Sequence, residues 1–270
     1  MRHLFLMTLL VIFLAGCGKR TTQDNNVTNT EQTMDKNKEI IDSITAAGYA
    51  SDSFTTPKGR PVEIAFIKHG SIVIVIDGYT VYIDPVTIFG NDFANMPKAD
   101  LLLVTHEHHD HLDAQAIAEL TQDSTRLIGS RRIPELLGHG ESLVPGQTVG
   151  FDNARFSVTA FPAYNITPDH LQFHPKERQD IGFIFNIDGL RIYVAGDTEN
   201  IPEMADLKDI DIAFLPVNQP YTMTPEQAIE AVETIKPKIF YPYHFGETDL
   251  SPIVEKFKDS AIDVRVRNLQ

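Results

Sequence analysis

After residue 60 the chain is a succession of short apolar runs, each closed by a turn signal. Val62 to Ile67 and Ser71 to Ile76 are rich in β-branched residues, and Asp77-Gly78 marks a tight turn before Tyr79 to Ile83. This spacing predicts a β meander. The device recurs in Asp180 to Ile187, Asp188-Gly189 and Leu190 to Ala195, which hints at two related halves. Leu101 to Val104, Ile212 to Leu215 and Ile239 to Tyr241 are continuous apolar runs of the kind that form strands buried on both faces. Helical spacing appears between them, in Asp113 to Leu120, after the Thr224-Pro225-Glu226-Gln227 capping box, and from Ser251-Pro252 to Lys258. Alternating strands and helices after a β-rich start predict an α/β sandwich, two mixed sheets face to face with helices outside.

The first forty residues follow a different pattern. Arg2, the apolar run Leu4 to Ala15 and the sequence Leu14-Ala15-Gly16-Cys17 resemble a bacterial lipoprotein leader, with cleavage before Cys17 and a lipid on that cysteine. The run is too short to span a bilayer. Cys17 is the only cysteine of the chain, so neither a disulfide nor a thiolate ligand is available. Residues 18 to about 38 are polar and are expected to form a flexible tether. The expected organisation is therefore a leader (1–16), a tether (17–38) and one domain (39–270), lipid-anchored in the cell envelope.

At 270 residues and 42% apolar composition the chain can bury a sizeable core, and its net charge of −14 argues against a nucleic-acid partner. The chemistry is concentrated in Thr105-His106-Glu107-His108-His109-Asp110-His111, directly after a buried run. In an extended segment His106 and His108 project to one side, and a turn can aim Asp110 and His111 at a neighbouring point. Imidazole and carboxylate are the ligands of a catalytic zinc site that keeps a position open for water. Asp197 (in Ala195-Gly196-Asp197-Thr198), His244 (after Ile239 to Tyr243) and Asp84 (in Ile83-Asp84-Pro85) also follow apolar strands, which suggests one shared polar edge. Asp84 either accepts from the distal nitrogen of a ligating His or caps local backbone. His69, at a turn before Gly70, either approaches the site from outside the ligand set or is structural.

The H-x-H-x-D-H segment, the Gly-Asp-Thr and the late strand-borne His resemble the metallo-β-lactamase superfamily over about residues 62 to 267. Tyr221-Thr222-Met223-Thr224 adds a similarity to the branch containing L-ascorbate-6-phosphate lactonases and N-acyl-phosphatidylethanolamine phospholipase D. The resemblance implies a four-layer αββα sandwich holding one or two divalent ions, zinc before manganese or iron. It implies His106 and His108 as ligands of a first metal, Asp110, His111 and His244 of a second, and Asp197 as a bridge. The family's further His on the first metal is missing, because the strand Phe156 to Phe161 runs into Pro162-Ala163-Tyr164-Asn165, and a neutral Asn165 amide binds zinc poorly. Either the first site is weak or open, or His170 or His174 of the next loop fills it, His174 before His170.

The expected activity is hydrolysis of a phosphodiester, a lactone or another ester by water activated at the metal, with Asp110 orienting it or moving its proton. The substrate is a small-molecule or lipid-derived ester. A lipoprotein that binds metal or a small ligand without turnover is the alternative. The polar insertion Ile166 to Gln179, with Lys176 and Arg178, reads as a lid whose cations meet an anionic substrate, or as a solvated loop.

Overall fold

The computed structural model describes residues 24–152 and 154–270. A first sheet contains, in spatial and chain order, β1 (Ala50–Thr55), β2 (Pro61–Lys68), β3 (Ser71–Ile76), β4 (Tyr79–Ile83), β5 (Leu101–Val104), β6 (Arg126–Gly129) and β7 (Glu141–Ser142). A second contains β8 (Thr148–Phe151), β9 (Phe156–Ala163), β10 (Asp180–Ile187), β11 (Leu190–Val194), β12 (Ile212–Pro216), β13 (Ile239–Tyr243) and β14 (Asp263–Val264). In each sheet the first four strands pair antiparallel and the rest continue in parallel. The halves suggested by the two Asp-Gly turns are thus real. Asp77 and Asp188 both turn with positive φ, at 54° and 51°, as a two-residue hairpin with inherent right-handed twist requires.

Alternation along β3 shows how the layers form. Ile72, Ile74 and Ile76 face the core between the sheets, while Val73 and Val75 pack outward with Ile41 and Ile44 of α1 (Asp24–Ala46). Outside the first sheet also lie α2 (Ala114–Leu120) and α3 (Arg132–Leu137), and α4 (Pro225–Ile235) and α5 (Ser251–Phe257) cover the second. This is the expected two-sheet α/β sandwich. Asp113 caps α2 through Gln115 and Ala116, and Thr224 and Gln227 form the capping box that starts α4.

The N-terminal expectation needs correction. The stretch read as a tether to residue 38 is helical from Asp24, and Asn37 is buried, donating to Pro61 O at 3.2 Å and accepting from Gly78 N at 2.7 Å. A buried amide that satisfies two backbone groups of a hairpin docks the helix as firmly as an apolar contact. The leader and Cys17 lie outside the described residues. Among the described residues no helix is long and apolar enough to cross a membrane.

Candidate metal centre

The site forms where strands of both sheets end. β2 leads to His69, β4 to Asp84, β5 to His106, β9 to Asn165, β11 to Asp197 and β13 to His244. His244 N donates to His69 O at 3.3 Å, which joins the sheets at the site itself. Three of these residues leave their strands with left-handed backbone, at φ 55° for His69, 45° for Asp84 and 49° for His244. Such conformations cost about 1–3 kcal/mol each in non-glycine residues and persist where the surroundings over-determine them.

Two groups of four ligand atoms result, each within 4.8 Å of one another. One comprises His106, His108, His174 and Asp197; the other comprises His69, Asp110, His111 and His244. Asp197 reaches both, with Oδ2 3.4 Å from Nε2 of His174 and of His244, and Oδ1 3.3 Å from His111 Nε2. His106 Nε2, His111 Nε2, His244 Nε2 and Asp197 Oδ1 are buried without a hydrogen-bond partner. Buried polar atoms are almost always satisfied, so a convergent set of orphaned imidazole and carboxylate atoms fits divalent metal ions.

The outer nitrogens are held in place. Asp84 Oδ2 accepts from His111 Nδ1 at 2.7 Å, and Asp84 also accepts from Thr105 N and Thr105 Oγ1, each at 2.7 Å. Thr105 Oγ1 in turn lies 2.9 Å from His106 Nδ1. Gly70 leaves the room this needs, since a Cβ there would stand 2.9 Å from His111 Cε1. Burial pulls His69 down to about 4, and burial with the Arg178 charge does the same to His108. Burial, then His111, holds His106 well below its ordinary value. All three are neutral at pH 7, the form that binds metal. Burial pushes Asp197 up, but His244 and His111 outweigh it and hold the carboxyl well below the usual range.

Of the two histidines in the loop after β9, His174 enters the first group, whereas His170 turns to the buried Glu199 at 2.9 Å. Asn165 braces that loop, with Nδ2 donating to Tyr221 O and His170 O and its backbone N to His174 O. His69, expected outside the ligand set, stands inside the second group with Nε2 3.2 Å from Asp110 Oδ2. Glu199 went unread as a site group, and Arg178 was expected only as a cation of a lid over the substrate. Glu199 accepts from Ile166 N and Thr167 N and so anchors the loop, and Arg178 reaches the first group directly. Neither carries a local motif.

A family model described as "Beta-lactamase superfamily domain" matches residues 63–244, and the chain belongs to that superfamily. Within it, the chain is 32% identical over 205 residues to a UPF0173 metal-dependent hydrolase of Pelotomaculum thermopropionicum, covering 71% of this chain and 83% of the relative. A UPF0173 metal-dependent hydrolase of Archaeoglobus fulgidus is 32% identical over 210 residues, with the same coverage. The chain is thus a metal-dependent hydrolase of this family. Among solved structures, a candidate metal-dependent hydrolase from Parabacteroides distasonis is 48% identical with TM-score 0.79, covering 82% of this chain and 100% of its own. The metallo-hydrolase Igni18 of Ignicoccus hospitalis, 24% identical with TM-score 0.63 over 77% of this chain and 95% of its own, shares the fold.

Proposed function

We propose that the chain is a dinuclear hydrolase of ester bonds, phosphodiester or lactone, with His106, His108, His174 and Asp197 around one ion and His69 or Asp110, His111 and His244 around the other, Asp197 bridging. The observation that carries this reading is the set of four orphaned, buried ligand atoms facing one space. Divalent ions there supply Lewis acidity and bring the pKa of water from 15.7 toward 7. The remaining work falls to the chain. Asp110, with its side chain 22% exposed, is the acid of the site open to solvent, while Asp84 and Asp197 are buried. Burial would raise its carboxyl, but the His244 and His69 rings, with Nε2 atoms 3.4 and 3.2 Å from Oδ2, outweigh it and hold it far below the usual range. It therefore stays ionised and accepts, orienting a water or taking its proton. A site with acids and imidazoles beyond the four that close a structural zinc favours turnover over metal storage. The motif resemblance of Tyr221-Thr222-Met223-Thr224 to the lactonase and phospholipase branch is what favours an ester substrate, small-molecule or lipid-derived.

We also propose that Cys17 carries a lipid that holds the enzyme at an envelope membrane; Cys17→Ser should then move it to the soluble fraction. The catalytic reading is tested by elemental analysis and turnover of bis-p-nitrophenyl phosphate and simple lactones. Wild type should hold close to two ions, His174→Ala one, and Asp110→Asn should keep metal while losing most of its rate. Fewer than two ions per wild-type chain would overturn it.

A further inference from the structure

The first pocket has a competitor for its own ligands. Arg178, on the turn Lys176–Arg178, points its guanidinium at two of the four residues of that pocket, with Nη1 2.8 Å from His108 Nε2 and Nη2 3.0 Å from His174 Nδ1. An arginine only donates, so both ring nitrogens are acceptors in this arrangement. Asp180 anchors the guanidinium beside the rings, because Nε bonds both oxygens of that buried carboxylate at 2.9 and 2.8 Å and Nη2 bonds Oδ2 as well.

Metal ligation demands the opposite proton arrangement. His174 faces Asp197 through Nε2 at 3.4 Å, and Arg178 occupies His108 Nε2, leaving Nδ1 of His108 for an ion. A neutral imidazole that ligates through one nitrogen carries its proton on the other. His108 Nε2 and His174 Nδ1 would then both be N–H groups, and each would face an arginine N–H. For His174 an acceptor is at hand, since Asp180 Oδ2 lies 3.4 Å from Nδ1. For His108 none stands in that place. Loading the first pocket therefore requires Arg178 to release both rings while Asp180 keeps its stem. Among the described residues no arginine or lysine bonds the second group, His69, Asp110, His111 and His244; its outer nitrogen on His111 is held by the carboxylate of Asp84, which favours ligation.

We propose that Arg178 weakens the first pocket for metal, so that the two ions load in sequence, second pocket before first, and the first exchanges with the metal supply of its surroundings. This rests on the dinuclear reading above. The test is titration of metal-stripped protein with Co2+, followed by absorbance and calorimetry. Wild type should take up two ions with unequal constants, and His108→Ala should lose the weaker one. Arg178→Met, which keeps the aliphatic stem without the donors, should tighten the weaker step about tenfold or more and leave the tighter step within twofold. Arg178→Lys keeps the charge toward Asp180 but cannot fork to two rings, and should tighten the same step by at least about threefold, which guards against a folding defect in the first variant. Two ions with the weaker constant unchanged or loosened in both variants would overturn the role of Arg178 and leave the dinuclear site standing. Fewer than two ions in wild type would overturn both.

Discussion

Asp84→Asn isolates the carboxylate that orients the second pocket. The wild-type side chain is 1% exposed and accepts three hydrogen bonds at 2.7 Å, from Thr105 N, Thr105 Oγ1 and His111 Nδ1. An asparagine of the same shape keeps one oxygen acceptor. Its NH2 must then face either the Thr105 N–H or the Nδ1–H of His111, and either contact sets donor against donor. A hydrogen bond to a charged group is worth about 1.5–3 kcal/mol. Loss of an outer-sphere partner of a ligating His typically costs about 10–100-fold in metal affinity, equivalent to about 1.4–2.8 kcal/mol. Two independent estimates agree, so the tighter Co2+ constant should weaken by one to two orders of magnitude, with a smaller change in the weaker one. The effect on fold stability should be modest, because burial raises the Asp84 carboxyl's pKa and its removal relieves that cost. Co2+ titration and thermal melting of the metal-stripped protein read the two separately. If both constants stay within twofold of wild type, Asp84 does not orient His111 for a metal.

Gly182→Ala tests how tightly β10 is pressed against the segment that delivers Asp197. A Cβ there would lie 2.4 Å from Ala195 O and 2.5 Å from Val194 O, both backbone atoms that cannot swing aside. Overpacking of this kind costs about 3 kcal/mol, or a fall in Tm of about 6–12 °C for a chain this long, with loss of metal content; a melt within 2 °C of wild type would contradict it. Asp52 offers a pH test away from the site. It ties β1 of one sheet to Tyr241 of the other and to Arg267 at 2.7 and 2.9 Å. Burial pushes its carboxyl up, but the Tyr241 and Arg267 hydrogen bonds outweigh this and leave it below its ordinary value. A depressed folded pKa stabilises above the unfolded value of about 4 and is lost as pH falls through the folded one. Wild type should therefore exceed Asp52→Asn by about 1–3 kcal/mol in urea melts at pH 7, with the gap closing below pH 4; a gap constant from pH 7 to 3 would rule this out.

The strands that built the site were legible because apolar runs bounded by Asp-Gly or Pro leave little freedom. Ser71–Ile76, Tyr79–Ile83, Leu101–Val104 and Asp180–Ile187 fall at their expected bounds. The edge strands β1, β7 and β8 did not announce themselves, since strands covered on one side or less carry polar residues such as Ser51, Asp52 and Glu141. Helix α1 was misread because its buried apolar anchors among the described side chains, Ile41 and Ile44, stand one and two turns beyond the buried Asn37, and a polar anchor is invisible to a hydrophobic pattern. The ligand cluster Thr105 to His111 declared itself through residue type and spacing. His69 and Arg178 were noticed in the sequence but not placed within the metal pockets, because what matters is their approach to residues 41 and 70 positions away in the chain.

The two halves contribute unequally, and that asymmetry explains the construction. The first half supplies His69, Asp84, His106, His108, Asp110 and His111 on the ends of β2, β4 and β5 and the loop beyond; the second supplies His174, Asp197 and His244. Neither half closes a pocket alone, because each group of four draws on both. Asp197, 2% exposed and within 3.4 Å of ring nitrogens from both halves, is where they meet. The buried, unpartnered ligand atoms and the left-handed turns at His69, Asp84 and His244 oppose that meeting, while the apolar core between the sheets favours it. The sandwich thus holds the ligand set together against the cost of its buried, unpartnered atoms, and ions entering the site would relieve that cost. Metal binding and docking of the halves are on this account coupled, so metal should raise the melting temperature of the whole domain and not only order the loops around it.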